Sequence, residues 1–448
     1  MNRKKLIIII VSLIVLVLMG AGYKSFNKFT SNDVPLLIRT YDRFRGGQDG
    51  SFAERQLRRL FRTPEGLTKA VVLCYSENRR TAHGARHALE DIAQGWILSP
   101  ENFDDAVKVL NVLREHEDEN VRSIAYQTLF GIVLRNFEAS PEKAFKLRDS
   151  LVVGLKDPSD IVMESVTENL KSRYSEDWKY PIDLIKPFLH DENLRVRLNT
   201  AILLSYIDPD DLEPMPLIID NLETSDYELQ GKLIRALRSY GEAASDAIPK
   251  LLNIIETDPK LREPDIMGYS NAREASFAFH FTGDPNGLVV KRLTELMYDE
   301  NPDVRTVAVD GLGNLGRSGG PALPYLKEKL SDPDEDSEMV RFAAINSITG
   351  IYRYMKRSSV EFDEAAEIQY LIGLLDDRDP AVSLNAAYGL EIFYKNAEAA
   401  LPKLKELLER EDMNEEDLTM IESTISQIEL YVGERNHPRY SVMPQVSR

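Results

Sequence analysis

The chain has a single cysteine, Cys74, so no intrachain disulfide can form, and its neighbours Val71, Val72 and Leu73 mark the thiol as buried rather than reactive. Only two tryptophans and six histidines are present, little material for a histidine–cysteine metal site. Nothing in the body alternates apolar and polar residues over a strand's length, which excludes a sheet-based fold. Positive charge is also short: 55 Lys+Arg stand against 73 Asp+Glu, a net charge of −18. The deficit is uneven. Residues 1–64 carry twelve Lys/Arg and four Asp/Glu, a net of +8, which leaves −26 on the rest. An acidic body of that size repels phosphate backbones, so nucleic acid is not expected as a partner, whereas a basic protein or peptide is. The basic stretch (Arg39, Arg43, Arg45, Arg55, Arg58, Arg59 and Arg62) lacks the interleaved aromatics of a base-stacking surface. It reads as solvated helix faces, with anionic lipid or an acidic partner as the alternative.

The one long hydrophobic run opens the chain. Arg3, Lys4 and Lys5 precede residues 6–19, whose only polar member is Ser12, and Gly20, Ala21 and Gly22 follow. This is the layout of a secretory signal. As a helix, residues 6–22 would span roughly 25 Å, a little short of a ~30 Å hydrocarbon core. The Ile/Leu-rich run and the missing Ala-x-Ala favour retention as a signal anchor. The expectation is therefore a single-pass membrane protein with its body on the periplasmic or extracellular side. The alternative is cleavage to a secreted or periplasmic protein.

Self-comparison finds an internal repeat. An acidic turn leads into an aliphatic residue, often followed by Arg, with a small residue four positions after the aliphatic one. It reads Val121-Arg122 with Ala125, Val196-Arg197 with Thr200, Val304-Arg305 with Ala308, Val340-Arg341 with Ala344, and Val382-Ser383 with Ala386. Weaker copies stand at Val162 with Val166 and Leu229 with Leu233. The intervals are 41, 34, 33, 75, 36 and 42 residues, and the double one predicts a degenerate copy near Ala272-Arg273. Outer copies are expected near Gly84 with Ala88 and near Ile421 with Ile425. A second element precedes several copies, as in Ala322-Leu323-Pro324 and Ala400-Leu401-Pro402. Proline belongs in a first helical turn, and Leu323, Leu326 and Leu330 behind it share one face. Ser51 with Glu54, Thr63-Pro64-Glu65 and Ser140-Pro141-Glu142 are further helix starts. The prediction is an all-α fold, an α-solenoid of about nine to ten hairpins over residues 65–433. A signal anchor or signal peptide (1–22), a basic helical segment (23–64) and a flexible tail (434–448) would flank it.

The run Asp299-Glu300-Asn301-Pro302-Asp303-Val304-Arg305, with Gly311-Leu312-Gly313-Asn314-Leu315-Gly316 and Pro321-Ala322-Leu323-Pro324 after it, resembles HEAT repeats of the bacterial, bilin-lyase-like subtype. The resemblance covers roughly residues 65–430 and is sharpest over 299–408. It implies an armadillo-type solenoid that binds partners. It also implies a ladder between neighbouring repeats, with structural roles for Arg122, Arg197, Arg305 and Arg341. Met163, Gln230 and Ser383 depart from that pattern, so the stack is expected to bend or loosen there.

Motifs that look chemical have plainer readings. Gly311-x-Gly313-x-x-Gly316 matches a dinucleotide fingerprint but falls inside a second helix instead of after a strand. Gly316-Arg317-Ser318-Gly319-Gly320 matches a nucleophile elbow but lies between helices. His83 and His87 share a helical face, yet two ligands do not make a structural zinc site. His116-Glu117 is a single pair where the metal hydroxylases of HEAT-like form carry several. Asp332, Asp334 and Asp336 space like a calcium loop, with Ser337 and Ala343 where Gly and Glu are required. No catalytic, metal or cofactor residue is predicted, and no small-molecule substrate.

Two aromatic groups remain as candidate partner-binding residues. Phe277, Phe279 and Phe281 alternate around His280, and Phe279 falls about 200° around the helix from the other two. It is therefore expected outside, beside His280. Tyr352, Tyr354, Tyr388 and Tyr394 lie near the ends of two second helices, where tyrosine suits contact with a partner. The sequence thus points to a membrane-tethered, non-enzymatic scaffold that binds protein or peptide on a concave face. The rivals are an enzyme of the bilin-lyase or metal-hydroxylase type and a soluble periplasmic binding protein.

Overall fold

The computed structural model describes residues 64–435, apart from 75, 77, 80, 86–99, 139, 172–178, 263–269, 336, 359 and 411, together with Pro35, Ile38 and Leu57. The proposed anchor (6–22), the Ser51–Glu54 cap, His87 and the tail from 436 lie outside the described residues. Among those described there is no strand. The chain divides between Ile207 and Asp208 into two compact units.

Among the described residues of the first unit, α1 (Pro64–Leu73) and a helical stretch at 81–85 precede three hairpins. They pair α2 (Pro100–Leu113) with α3 (Glu119–Asn136), α4 (Pro141–Leu151) with α5 (Asp160–Lys171), and α6 (Ile182–Ile185) with α7 (Leu194–Ile207). The second unit holds six. They pair α8 (Met215–Asp220) with α9 (Tyr227–Leu237), α10 (Ile248–Thr257) with α11 (Asn271–Thr282), α12 (Leu288–Leu296) with α13 (Pro302–Asn314), α14 (Leu323–Ser331) with α15 (Glu338–Arg357), α16 (Glu364–Leu374) with α17 (Pro380–Glu391), and α18 (Leu401–Leu407) with α19 (Glu415–Arg435). Within each unit every second helix packs on the second helices before and after it. That is the all-α, solenoid-type stacking of HEAT-like hairpins.

The repeat motif has a local cause. The turn residue caps the second helix: Asp118, Asp226, Asn301, Ser337 and Asp379 each accept a backbone N–H of the first turn. The aliphatic residue three positions on is buried at 121, 229, 304, 340 and 382. The following Arg folds back on its own turn. Arg122 donates to the carbonyls of His116 and Glu117, Arg197 to those of Asp191 and Glu192, and Arg305 to those of Asp299 and Glu300. Arg122 also forks onto Asp157, and Arg305 onto Glu335, both in the next hairpin's turn. Arg341 reaches Asp377 at 2.5 Å. Where Ser383 replaces the arginine, Arg410 enters from downstream and donates to Ser383 Oγ and the Asp377 carbonyl.

Two expectations are corrected here. The first is the single-pass membrane location. No helix among the described residues is long and apolar enough to cross a membrane, so neither the structure nor any described helix supports a transmembrane chain.

The second is the register of the degenerate copy. Burial aligns Asn271, not Ala272, with Val304: Asn271, Ala275, Phe279 and Thr282 take the buried places of Val304, Ala308, Leu312 and Leu315. The intervals then become 42 and 33, in line with the others. Capping by Ser270 starts α11 two residues late in this register, so the usual spacing from cap to buried aliphatic residue does not hold in this copy. Phe279 consequently fills the slot held by Leu129, Leu204, Leu237, Leu312, Ile348 and Leu390, and it is 0% exposed. It belongs to the core, not to a binding surface. Its neighbour Phe277 is the exposed ring.

Candidate functional site

Four second helices of the second unit end at a recurring place. Twelve residues after the buried aliphatic position stand Gly241, Gly283, Gly316 and Tyr394, with φ of 58°, 65°, 56° and 51°. Positive φ stops a helix, and only glycine reaches it without strain. In α15 the equivalent residue is Tyr352, which stays helical, so the helix continues to Arg357. The extra turn stands beside the shorter end of α13. A Cβ on Gly316 would come within 3.2 Å of His280 Nδ1 and 3.8 Å of Tyr354 Cδ1. The glycine therefore leaves room for rings from α11 and α15 to meet over the end of α13.

They do meet. His280 lies 5.4 Å from the Tyr354 ring, 5.0 Å from Phe281 and 6.2 Å from Phe277. The Arg238 guanidinium sits 4.6 Å over Phe277 and is paired with Glu274. On the other side of Tyr354, Arg353 covers the Tyr388 ring at 5.8 Å, and Tyr394 meets Tyr431 edge-on at 4.8 Å. Phe277, Tyr388 and Tyr394 are 43%, 45% and 48% exposed. The result is a band of rings and cations along the C-terminal ends of α11, α15, α17 and α19. Within it, Arg353, Lys356, Arg357, Tyr388, Glu391, Ile392 and Tyr394 enclose a cavity of about 470 Å³.

The sequence candidates divide. His280 and Tyr354 are half-buried and joined in the band. Tyr352 is not part of it: fully buried, it packs at 5.7 Å from Phe393 and donates its hydroxyl to Glu367. Burial and that carboxylate push the Tyr352 hydroxyl pKa up. It is a core residue because it points 200° away from Tyr354 on the same helix. Arg353 and Arg357 were missed. The available signal was the absence of a glycine at 352, which lets α15 overrun its neighbours.

The motifs with plain readings are accounted for individually. Gly313 lies where a Cβ would fall 2.8 Å from the Ser347 backbone, so it serves close helix packing. His116 Nδ1 accepts the Asp118 N–H within its turn. Asp332 accepts from Lys329 and the Asp334 N–H. Cys74 is buried. No group of three or more His, Cys, Asp or Glu among the described residues could hold a metal ion.

No protein-family model matches the sequence, and no curated protein is detectably similar to it. Solved structures of similar fold include an engineered protein (18% identity, 82% of this chain and 98% of the other, TM-score 0.36). A Kap95:Nup1 complex is similar at 11% identity over 90% of this chain and 67% of the other, with a TM-score of 0.48. The karyopherin Kap121p, bound to the extreme C-terminus of the protein phosphatase Cdc14p, is similar at 13% identity over 97% of this chain, with a TM-score of 0.46. This chain spans about half (54%) of that karyopherin's length.

Proposed function

We propose that the protein is a non-enzymatic scaffold that binds a protein or peptide along the second-helix ends of its C-terminal unit. One observation carries this reading: rings from three hairpins, the exposed Phe277, Tyr388 and Tyr394 and the half-buried Tyr354, share one edge of the stack with Arg353 and Arg357, which have no acidic partner among the described residues. Such rings offer large contact area at low conformational cost and dominate binding energy where they cluster. The ion-paired arginines at 305 and 341 hold hairpin to hairpin within the unit that carries the band, as Arg122 does within the first unit; Arg197 acts within its own turn. The bilin-lyase-like kind of repeat is supported by the 299–324 sequence alone and brings no chemistry to the band.

Site-directed photocrosslinking tests the reading. A benzophenone side chain at position 354 is expected to trap a protein partner, whereas the same group at Tyr325, exposed on a first helix, is not. Equal trapping at both positions would overturn it.

A further inference from the structure

The protein as a whole is acidic, yet the cavity at the end of α15 is lined by three cations and one carboxylate, Glu391. Lys356 is engaged by Glu364 at 2.7 Å. Arg353 and Arg357 have no acidic partner among the described residues, and Arg353 is held only over the face of Tyr388. Part of this charge answers the carbonyl end of α15, since Lys356 and Arg357 occupy its last turn. That reason does not extend to Arg353, which lies a full turn earlier, nor to the rings on either side.

Tyr394 is the second observation. Three other second helices in this unit end with glycine at its position, and Tyr394 is the only positive-φ residue other than glycine among those described. A bulky side chain in that conformation is strained, and about half of its surface is open to solvent. Core packing therefore does not compel it. Its ring forms one wall of the cavity beside Arg353 and Arg357. A position where glycine is easier, and where an exposed ring stands instead, is a position kept for what the ring touches.

We infer that this cavity binds an acidic peptide segment: Arg353 and Arg357 take carboxylates, and Tyr388 and Tyr394 clasp the peptide between their rings. The inference rests on the scaffold reading above and names the partner's chemistry. It reverses the expectation of a basic partner, which came from net charge. Net charge sets the long-range field, while the occupant is chosen by the charges it touches. A planar guanidinium suits a carboxylate in two-point contact, and Arg353 already lies over the Tyr388 ring at 5.8 Å. Because the cavity is open and lined by more than one ring, the occupant is an extended chain, with its acidic residues near an aliphatic or aromatic one that meets Ile392 and the tyrosines.

The test is selection of a random 12-residue peptide library on phage against the full chain, with affinities of the selected peptides measured by fluorescence anisotropy. Expected are peptides enriched in Asp and Glu. Their affinity should fall about tenfold or more in Arg353→Glu/Arg357→Glu, the loss of at least one charge-assisted contact, and should weaken steeply with salt. Lys-for-Glu versions of the same peptides should recover binding to that variant. Tyr394→Gly, which relieves the backbone, should fold at least as well and still bind several-fold more weakly. Enrichment of basic or uncharged peptides that depend on Tyr354 would overturn the inference and leave the scaffold reading standing. Acidic peptides indifferent to the arginine reversal would overturn the assignment of this cavity. No enrichment at all would overturn both.

Discussion

Neighbouring second helices α13 and α15 begin alike, with a capped turn, a buried valine and an arginine that reaches the next turn, yet α13 stops at Asn314 while α15 runs to Arg357. The starts are alike because they are made by local chemistry. A side-chain cap satisfies an orphan N–H, and an arginine ties the loose carbonyls of the preceding turn. The ends differ by one residue type. Gly316 turns the chain at φ 56°, and Tyr352 does not. From that single difference come the step between the two helices, the meeting of His280 with Tyr354 across it, and the display of Arg353 and Arg357. The lesson is that in a stack of near-equal units the starts hold the repeats together, and the ends are free to differ.

The comparison breaks first in the core. Phe279→Ala should cost about 3–5 kcal/mol, because Phe279 fills the leucine slot that Leu312 and Ile348 fill in α13 and α15. Urea unfolding monitored by circular dichroism measures it. An unchanged midpoint would put the ring back outside and refute the register.

Next come the shared starts. Glu335→Gln leaves Arg305 and Lys329, both bonded to this carboxylate at 1% exposure, without their counter-charge. Losing one partner of a buried pair costs roughly 3 kcal/mol or somewhat more. Burial alone would push the Glu335 carboxyl up, but the bonds from Arg305 and Lys329 outweigh it and hold the pKa below its ordinary 4.5. The stability it adds is therefore complete above that value and lost as pH falls through the lower folded one. Melts at pH 7 and pH 3 should show a gap between wild type and variant at pH 7 that narrows at pH 3.

The ends themselves come third. Gly316→Val forces a β-branched side chain into positive φ and against His280 Nδ1, at a cost of about 1–3 kcal/mol. Thermal melts should show it, and near-ultraviolet circular dichroism should report the disturbed His280–Tyr354 contact. The smallest effect has the opposite sign. Tyr394→Gly should raise the melting temperature by a few degrees at most, worth about 1 kcal/mol, since it gives α17 the ending that α13 already has. A drop instead would mean that the Tyr431 contact outweighs the strain.

Local sequence chemistry was enough to specify the helices, the hairpins and the register of seven second helices: 121, 162, 196, 229, 304, 340 and 382 all stand at the same place in their helices. It could do so because caps, first-turn prolines and the 3.6-residue burial pattern act over a few neighbours. It also singled out His280 and Tyr354, whose rings the structure brings within 5.4 Å of each other. Packing between hairpins set the phase of α11: burial of Asn271, Ala275 and Phe279 puts the repeat one residue before Ala272 and takes Phe279 from the expected surface into the core. It likewise decided which of Tyr352 and Tyr354 faces outward, because that depends on how far α15 outruns α13. Charge divides the same way. Composition determined that the molecule is acidic as a whole, and only the folding of Arg353 and Arg357 beside Tyr388 and Tyr394 made one cavity basic, since contact charge follows the packing of side chains distant in sequence.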